Sequence, residues 1–231
     1  MSALAFRTGS FVSAGNASGG NLTLTKPTGT ADGDRVTINV YFEPDTCNIS
    51  ISPGVWESVE KANTGAFKTK CFTKIASSEP ASYTISNDVA GNQWRSATGV
   101  SYQNGTGSGT LIDVSSTNQG DATPEVSQTA PSVTPTGTDR MICWIYGNFD
   151  GSNPTGVTGY CTNLRGSLGS AAIADALNST GAATGTTRPN GGVASTDFAC
   201  MHVAIISDIA GGAATSLPLP PPRIPPALLS M

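Results

Sequence analysis

The sequence predicts an all-β protein, a β-sandwich of the jelly-roll or Ig-like type with an extended Pro-rich C-terminal arm. Three observations lead to this fold class. Polar and apolar residues alternate over residues 35–42, and strand-like segments recur about every ten residues between turn-forming clusters. Helix-forming composition is confined to residues 171–177, which we interpret either as one or two helical turns or as a polar strand.

The strand-like segments differ in whether the sequence predicts one buried face or two. Residues 35–42 carry apolar side chains on one face and polar side chains on the other, the period of a half-buried strand. Residues 141–146 and 198–206 are apolar on both faces, which is typical of strands covered on both sides. Shorter candidates are residues 22–25, 48–52, 67–75, 82–86, 96–102 and 111–115. The predicted core consists of Val36, Ile38, Val40, Phe42, Ile142, Trp144, Val203 and Ile205.

A short repeated motif, called the Asp-Arg echo below, bears on the domain organisation. The turn Pro-Thr-Gly-Thr occurs at 27–30 and at 135–138, and in both places an Asp-Arg pair then leads into an apolar strand. Proteins rich in β-structure reuse this turn chemistry, because Pro fixes φ and Gly allows a positive φ. The echo also fits two similar β-units, at about 1–125 and 126–212. We therefore expect either one sandwich domain over 1–212 or these two units, followed by an arm at 213–231.

The C-terminal segment has a composition of its own. From residue 216 onward, prolines remove backbone donors and fix φ, which favours an extended polyproline II conformation. Its apolar side chains are unusual for a linker, so we expect an arm that ties the subunit to a neighbour. The alternative is a strap that folds back over its own sandwich. The candidate partner-binding residues are Leu217, Leu219, Pro221, Pro222, Ile224, Leu228 and Leu229.

Charge and hydropathy exclude several partners. The net charge is −4 and the twelve basic residues are scattered singly, whereas nucleic-acid binding needs clustered Lys and Arg. No apolar run approaches the about 20 residues that span a bilayer. Residues 1–7 lack the basic and apolar regions of a signal peptide, so we expect folding in the cytoplasm. In that reducing compartment the five cysteines, an odd number without a CxxC pair, are predicted to be buried free thiols. The alternative is two disulfides and one free thiol.

Catalytic patterns are sparse, and we expect no enzyme, no cofactor and no metal. The single histidine, His202, lies in an apolar strand and no GxSxG motif accompanies it, which favours a buried structural histidine. Cys200 shares its strand face and could form half of a metal site, but no second ligand pair follows. The loops at 32–34 and 150–153 offer oxygens to Ca²⁺, although turn chemistry explains both. The acids Glu57, Glu60 and Glu79 cannot be paired across a groove from sequence alone.

Aromatic residues raise the possibility of a glycan-binding face. The candidates for such a face are Trp56, Trp94, Trp144, Tyr83 and Tyr102. Of these, Trp144 lies in a doubly apolar segment and is predicted to belong to the core. Trp56 and Trp94 are the plausible exposed platforms, with core packing as the alternative.

The order of several short segments resembles β-sandwich proteins in the virions of tailed bacteriophages. The resemblance covers roughly residues 4–206, and its most specific piece is the Ser-Glu-Pro-Ala-Ser-Tyr-Thr segment at 78–84. After Trp94 the expected Tyr-Arg-Gly turn reads Tyr-Gln-Asn-Gly at 102–105. The other segments that carry the resemblance are Leu-Thr-Leu-Thr at 22–25 with Pro27 and Gly29, Asp-Gly-Asp at 32–34, Ile-Ser-Pro-Gly-Val-Trp at 51–56 and Pro-Ser-Val-Thr at 131–134.

The resemblance implies a fold and a virion context, and it brings no catalytic residues. We expect a capsid cement or decoration protein that is assembled in the host cytoplasm and binds the major capsid protein, copies of itself, or both. The alternatives are a tail or fibre receptor-binding protein that holds host glycans and an envelope-polysaccharide hydrolase, which would need a carboxylate groove. No nucleic acid or membrane partner is expected.

Overall fold

A computed structural model describes most of the chain as antiparallel β-structure. The described residues are 3–7, 12–16, 21–63, 66–89, 94–105, 110–116, 119–125, 128–149, 152, 154–168, 170–190 and 196–206. They form seventeen strands and no helix, so none of these residues belongs to an apolar helix long enough to cross a bilayer. The Pro-rich segment, with its seven candidate partner-binding residues, lies outside the described residues. The all-β prediction is confirmed for the described part.

The first half of the chain forms two sheets. In the first inner sheet the order is β1-β9-β4-β7-β6, and β2 also pairs with β9. In the first outer sheet the order is β3-β8-β5. The strands are β1 Ala5–Phe6, β2 Val12–Asn16, β3 Leu22–Thr25, β4 Arg35–Phe42, β5 Ile49–Ser52, β6 Glu57–Asn63, β7 Phe67–Ile75, β8 Ser82–Asn87 and β9 Arg95–Gln103.

The second half repeats this strand order. The second inner sheet runs β10-β17-β12-β15-β14, with β11 also on β17, and the second outer sheet pairs β13 with β16. Where β3 would stand, Ala130 makes an isolated bridge to Thr187 of β16. The strands are β10 Ile112–Ser115, β11 Gln119–Glu125, β12 Arg140–Asn148, β13 Gly156–Gly159, β14 Asn163–Leu168, β15 Ala171–Asn178, β16 Thr187–Asn190 and β17 Thr196–Ile206. The first unit of this repeat ends with β9 and the second begins with β10. This boundary precedes the one near residue 125 that was considered from the sequence.

The four sheets stack in the order outer, inner, inner, outer. One face of β4 packs on the first outer sheet, and one face of β12 packs on the residues of the second outer sheet. The opposite faces of the two inner sheets meet in a shared core that joins Cys71 and Val100 to Cys143, Ile145 and Val203. All eight residues of the predicted core are buried, although they are divided among three interfaces.

The half-buried prediction for β4 was wrong, because the second half covers its polar face. All eight residues of the strand are buried. Asn39 Nδ2 donates to the carbonyl oxygens of Tyr146 and Ala172, both at 2.8 Å, and its Oδ1 accepts from the Thr69 hydroxyl at 2.6 Å. The polar side chains thus satisfy backbone groups between the two inner sheets instead of meeting solvent.

The Asp-Arg echo is one residue out of phase with the repeated topology. Arg35 points toward the second half, where its Nη2 donates to the Ile206 carbonyl at 3.0 Å. Arg140 shares its strand face with Ile142, which packs toward the second outer sheet, and its Nε contacts Asp113 Oδ2 at 3.2 Å. Because strand side chains alternate, a shift of one residue places the two arginines on opposite kinds of face.

Candidate functional site

The ends of β4 and β12 lie at the same end of the molecule. Near their starts, Arg35 reaches the Ile206 carbonyl, and Ile206 is the pairing partner of Arg140. Near their ends, Tyr41 lies against Gly147, where an added Cβ would stand 3.1 Å from Tyr41 Cδ2. The two strands therefore run in the same direction. We call the end where they finish, together with the starts of β9 and β17, the Trp94 end.

Two aromatic side chains are exposed at the Trp94 end. Trp94 is 43% exposed, and its carbonyl accepts from Glu43 N at 3.2 Å, just after β4. Phe149 is 50% exposed, and its N–H donates to the Asp197 carbonyl at 3.1 Å, just after β12. The same backbone pairing thus presents one aromatic residue from each half. Exposed aromatic residues are the side chains most often found as binding hot spots.

A partly buried glutamate, Glu43, lies next to Trp94. The Tyr41 hydroxyl donates to Glu43 Oε1, and the Tyr41 ring packs on Phe67 with centroids 4.8 Å apart. Burial raises the pKa of Glu43 above its usual value, while the Tyr41 hydrogen bond acts in the opposite direction. One oxygen of the carboxyl group is thus engaged within the protein.

His202 has the structural environment that the sequence predicts. The ring is buried, with Nε2 2.8 Å from Thr187 Oγ1 and Nδ1 3.4 Å from Thr184 Oγ1. Thr187 Oγ1 also accepts from Cys161 N at 2.9 Å, which leaves its proton available for Nε2. Burial lowers the pKa of His202 to about 4, so the ring is neutral at physiological pH. The prediction of a buried, hydrogen-bonded histidine is confirmed.

The five cysteines are buried free thiols. Burial raises the pKa of Cys143 to about 12 and that of Cys71 well above its usual value. Since the thiolate is the nucleophile and metal ligand, these groups are inert in the folded protein. Within the described ranges, no three His, Cys, Asp or Glu side chains are grouped as a metal site.

The acidic residues considered for calcium at 32–34 serve the adjoining turn. Asp34 receives two hydrogen bonds from Arg7, each at 2.5 Å, and one from the Ser101 hydroxyl at 3.2 Å. Asp32 Oδ1 accepts from Ser78 N at 2.7 Å. In the second loop, residues 150, 151 and 153 lie outside the described residues.

The three glutamates considered for hydrolysis are each engaged locally. Glu57 accepts from the backbone N–H groups of Leu111 and Ile112, so it closes the connection between the halves. Glu60 contacts two lysines of β7. Glu79 contacts Lys74 Nζ at 2.8 Å and accepts a hydrogen bond from the Tyr83 hydroxyl at 2.9 Å. No two of them are joined by a contact across a groove in the described structure.

The two tryptophans considered as platforms have different environments. Trp56 packs edge-on against Tyr83 at 5.2 Å and lies under Lys74 Nζ at 5.0 Å, so its faces are used within the protein. Trp144 is buried and stacks on Tyr146, which confirms it as a core residue. Trp94 remains exposed. Phe149 was missed, because its exposure follows from its place just beyond β12 and not from a local pattern.

The comparisons with known proteins yield no relative. No protein-family model matches the chain, and neither a curated protein nor a solved structure matches it.

Proposed function

We propose that this chain is a non-enzymatic virion structural protein, a capsid cement or decoration protein that binds and stabilises the head of a tailed bacteriophage. Its partners would be the major capsid protein, further copies of this chain, or both, with assembly in the host cytoplasm. The observation that carries the proposal is the contrast at the Trp94 end. The histidine and the five thiols are buried, whereas Trp94 and Phe149 are exposed, one from each half of the chain.

The enclosed groups support a binding role over a catalytic one. A general acid or nucleophile must reach a substrate, yet the side chains of His202, Cys143 and Cys200 are buried. The carboxylates of Asp34 and Asp175 are likewise buried in contact with Arg7 and Arg165. These groups stabilise the sheets and have no access to an external molecule.

The exposed aromatic residues support recognition of a protein surface. The backbones at Trp94 and Phe149 are anchored by hydrogen bonds next to inner strands. Each half contributes one of these residues, and the shared core joins the two inner sheets. Two exposed aromatic residues on a fixed scaffold suit repeated docking on a symmetric shell.

The experiment locates the chain in purified particles and then measures its binding to heads that lack it. Mass spectrometry of purified particles should find the chain in the head at a copy number that follows the shell symmetry. Heads lacking the chain should bind the purified protein and then release their contents at a higher temperature. Trp94→Ala and Phe149→Ala should each weaken this binding by about 30-fold, the effect of a hot-spot aromatic residue. Val55→Ala, at an exposed site in the β5–β6 turn, is the control.

The Pro-rich segment is a further part of the proposal. A chain ending at Gly212 should fold normally, bind heads more weakly than the full chain and leave them more fragile. Unchanged binding would remove the arm from the mechanism. A loss of the domain's own stability would instead indicate a strap over its own sandwich.

A tail or fibre receptor-binding protein is the second candidate function. The exposed Trp94 and Phe149 also suit stacking on sugar rings. Binding to host polysaccharide that depends on Trp94, together with the chain in tails and its absence from heads, would favour this candidate.

A further inference from the structure

We propose that the Trp94 end contains a binding site for one oxyanion, a carboxylate or phosphate group, with Arg95 as its main donor and Lys68 beside it. The argument rests on side-chain geometry and is independent of the virion proposal. It concerns a site formed by β4, β7 and β9 of the first half alone.

Arg95 is a buried cation whose donors are not satisfied. It is 2% exposed, and its Cζ lies 5.0 Å from the centroid of the Phe42 ring. Nε and Nη1 are buried and have no hydrogen-bond partner within the described part of the chain. The Phe42 ring attracts the positive charge, but it supplies no hydrogen-bond acceptor for Nε and Nη1. An oxyanion would supply them.

Lys68 stands on the same sheet face as Arg95. Both residues are register partners of Phe42, Arg95 from β9 and Lys68 from β7. Side chains that are directly opposite one another project from the same face of a sheet. Arg95, Phe42 and Lys68 therefore form a row in which an aromatic ring separates two buried cations.

The neighbouring carboxylates do not balance this charge. Glu60 is shared, with Oε1 3.4 Å from Lys68 Nζ and Oε2 3.3 Å from Lys70 Nζ. Asp88 is held at the surface by the backbone and side-chain N–H groups of Asn48, which lower its pKa. Within the described part of the chain, neither of these carboxylates makes an ion pair or hydrogen bond with Arg95.

Cys47, the thiol that interacts electrostatically with Arg95, does not serve as its counterion. Burial raises the pKa of Cys47, so the thiol is neutral at physiological pH. Burial also lowers the pKa of Arg95. The guanidinium therefore lies in a partly desolvated place with a neutral neighbour, where an added anion would interact strongly.

The geometry selects a planar or tetrahedral oxyanion. A guanidinium presents its N–H groups as a flat fork that matches two oxygens of a carboxylate or phosphate. Phe42 lies against the guanidinium, with its ring centroid 5.0 Å from Arg95 Cζ. Trp94, the preceding residue in the chain, is exposed. Free phosphate and a carboxylate side chain of a docked protein present the same chemistry.

The first test uses thermal unfolding of the full chain. The unfolding midpoint should rise with phosphate concentration at constant ionic strength, since a ligand that binds the native state stabilises it. Sodium chloride should not reproduce this rise. The dependence should be lost in Arg95→Met and kept in Arg188→Met, because Arg188 is exposed and only contacts Thr158 Oγ1 at 3.3 Å. Equal dependence in wild type and Arg95→Met would overturn the proposal.

The second test separates the sources and does not depend on the Met variant folding. Calorimetric titrations with phosphate and with acetate give a Kd for each anion. Tighter phosphate binding indicates a free phosphate ligand, and comparable acetate binding indicates a carboxylate group. Arg95→Lys keeps the charge and loses the fork, so it should weaken binding by about tenfold. Wild-type affinity in a folded Arg95→Lys variant, or no heat with either anion in the wild type, would overturn the proposal.

Discussion

The two halves share a strand order, but their central strands present different surfaces to each other. In the first inner sheet β4 offers the polar Arg35 and Asn39, while β7 and β9 add the apolar Cys71 and Val100. The second inner sheet offers apolar side chains, such as Cys143 and Ile145. The polar groups bind backbone carbonyls of the opposite sheet, while the apolar groups fill the space around them. The two halves thus share a topology but have complementary inner faces, so neither half can replace the other.

Separating the halves should have the largest effect and should distinguish them. The chain from residue 110 onward, expressed alone, exposes the apolar inner face of β12 and β17 and should aggregate. Residues 1–105 alone expose the polar face of β4 together with fewer apolar residues, such as Cys71 and Val100, and should stay more soluble than the second half. Co-expression of the two pieces should restore soluble second half, as measured by sedimentation of lysates. If both pieces are soluble and folded by NMR, the halves do not depend on each other.

Ile145→Ala tests the apolar side of the interface. The substitution opens a cavity in the shared core and should lower the free energy of unfolding by about 2–5 kcal/mol in denaturant titrations. Val55→Ala, at a fully exposed apolar site, should change it by less than about 0.5 kcal/mol. Equal effects of the two substitutions would show that the inner sheets are not tightly packed together.

Asn39→Ala tests the polar side. It leaves the carbonyls of Tyr146 and Ala172 and the Thr69 hydroxyl without this partner, which should cost about 1–3 kcal/mol. Asn190→Ala, on an exposed strand of the second outer sheet, serves as the matched control. Stability unchanged by Asn39→Ala would mean that the polar face is satisfied in another way.

The pH dependence of stability sharpens the comparison further, because only the second half has a histidine. The folded pKa of His202, about 4, lies below its ordinary value of 6.5, so the unfolded chain binds the proton more readily. The associated stability is present above pH 6.5 and is lost as the pH falls toward 4. Between pH 7 and 5.5 the loss should be about 1 kcal/mol. His202→Gln should show a correspondingly smaller loss over this range, and identical pH profiles would contradict the assignment.

Prediction from sequence succeeded where a strand's own period carried the information. The alternation in β4 correctly separated Val36 and Ile38 from Asn39 and Arg35, and the doubly apolar segment around Trp144 was correctly placed inside. Residues 171–177 belong to the strand β15 and not to a helix, since cross-strand pairing with β12 and β14 outweighs their helix-forming composition. The strand β6, Glu57–Asn63, was missed because its charged residues suit an edge and do not alternate with large apolar ones.

The candidate site could be predicted less well than the fold. Trp94 was recognised as a possible exposed platform, but nothing in the sequence pairs it with Phe149 or places Arg95 beside Lys68. The first pairing depends on β4 and β12 running in the same direction through the stack. The second depends on both residues being register partners of Phe42.

The sequence by itself determined that the chain forms β-structure and which side chains of β4 and β12 share a face, because side-chain direction in a strand follows from its period of two. Only the tertiary structure decided what covers each face. Burial of Asn39 depends on hydrogen-bond acceptors more than a hundred residues away in the chain. Such partners are chosen by the packing of whole sheets, and a local pattern carries no record of them.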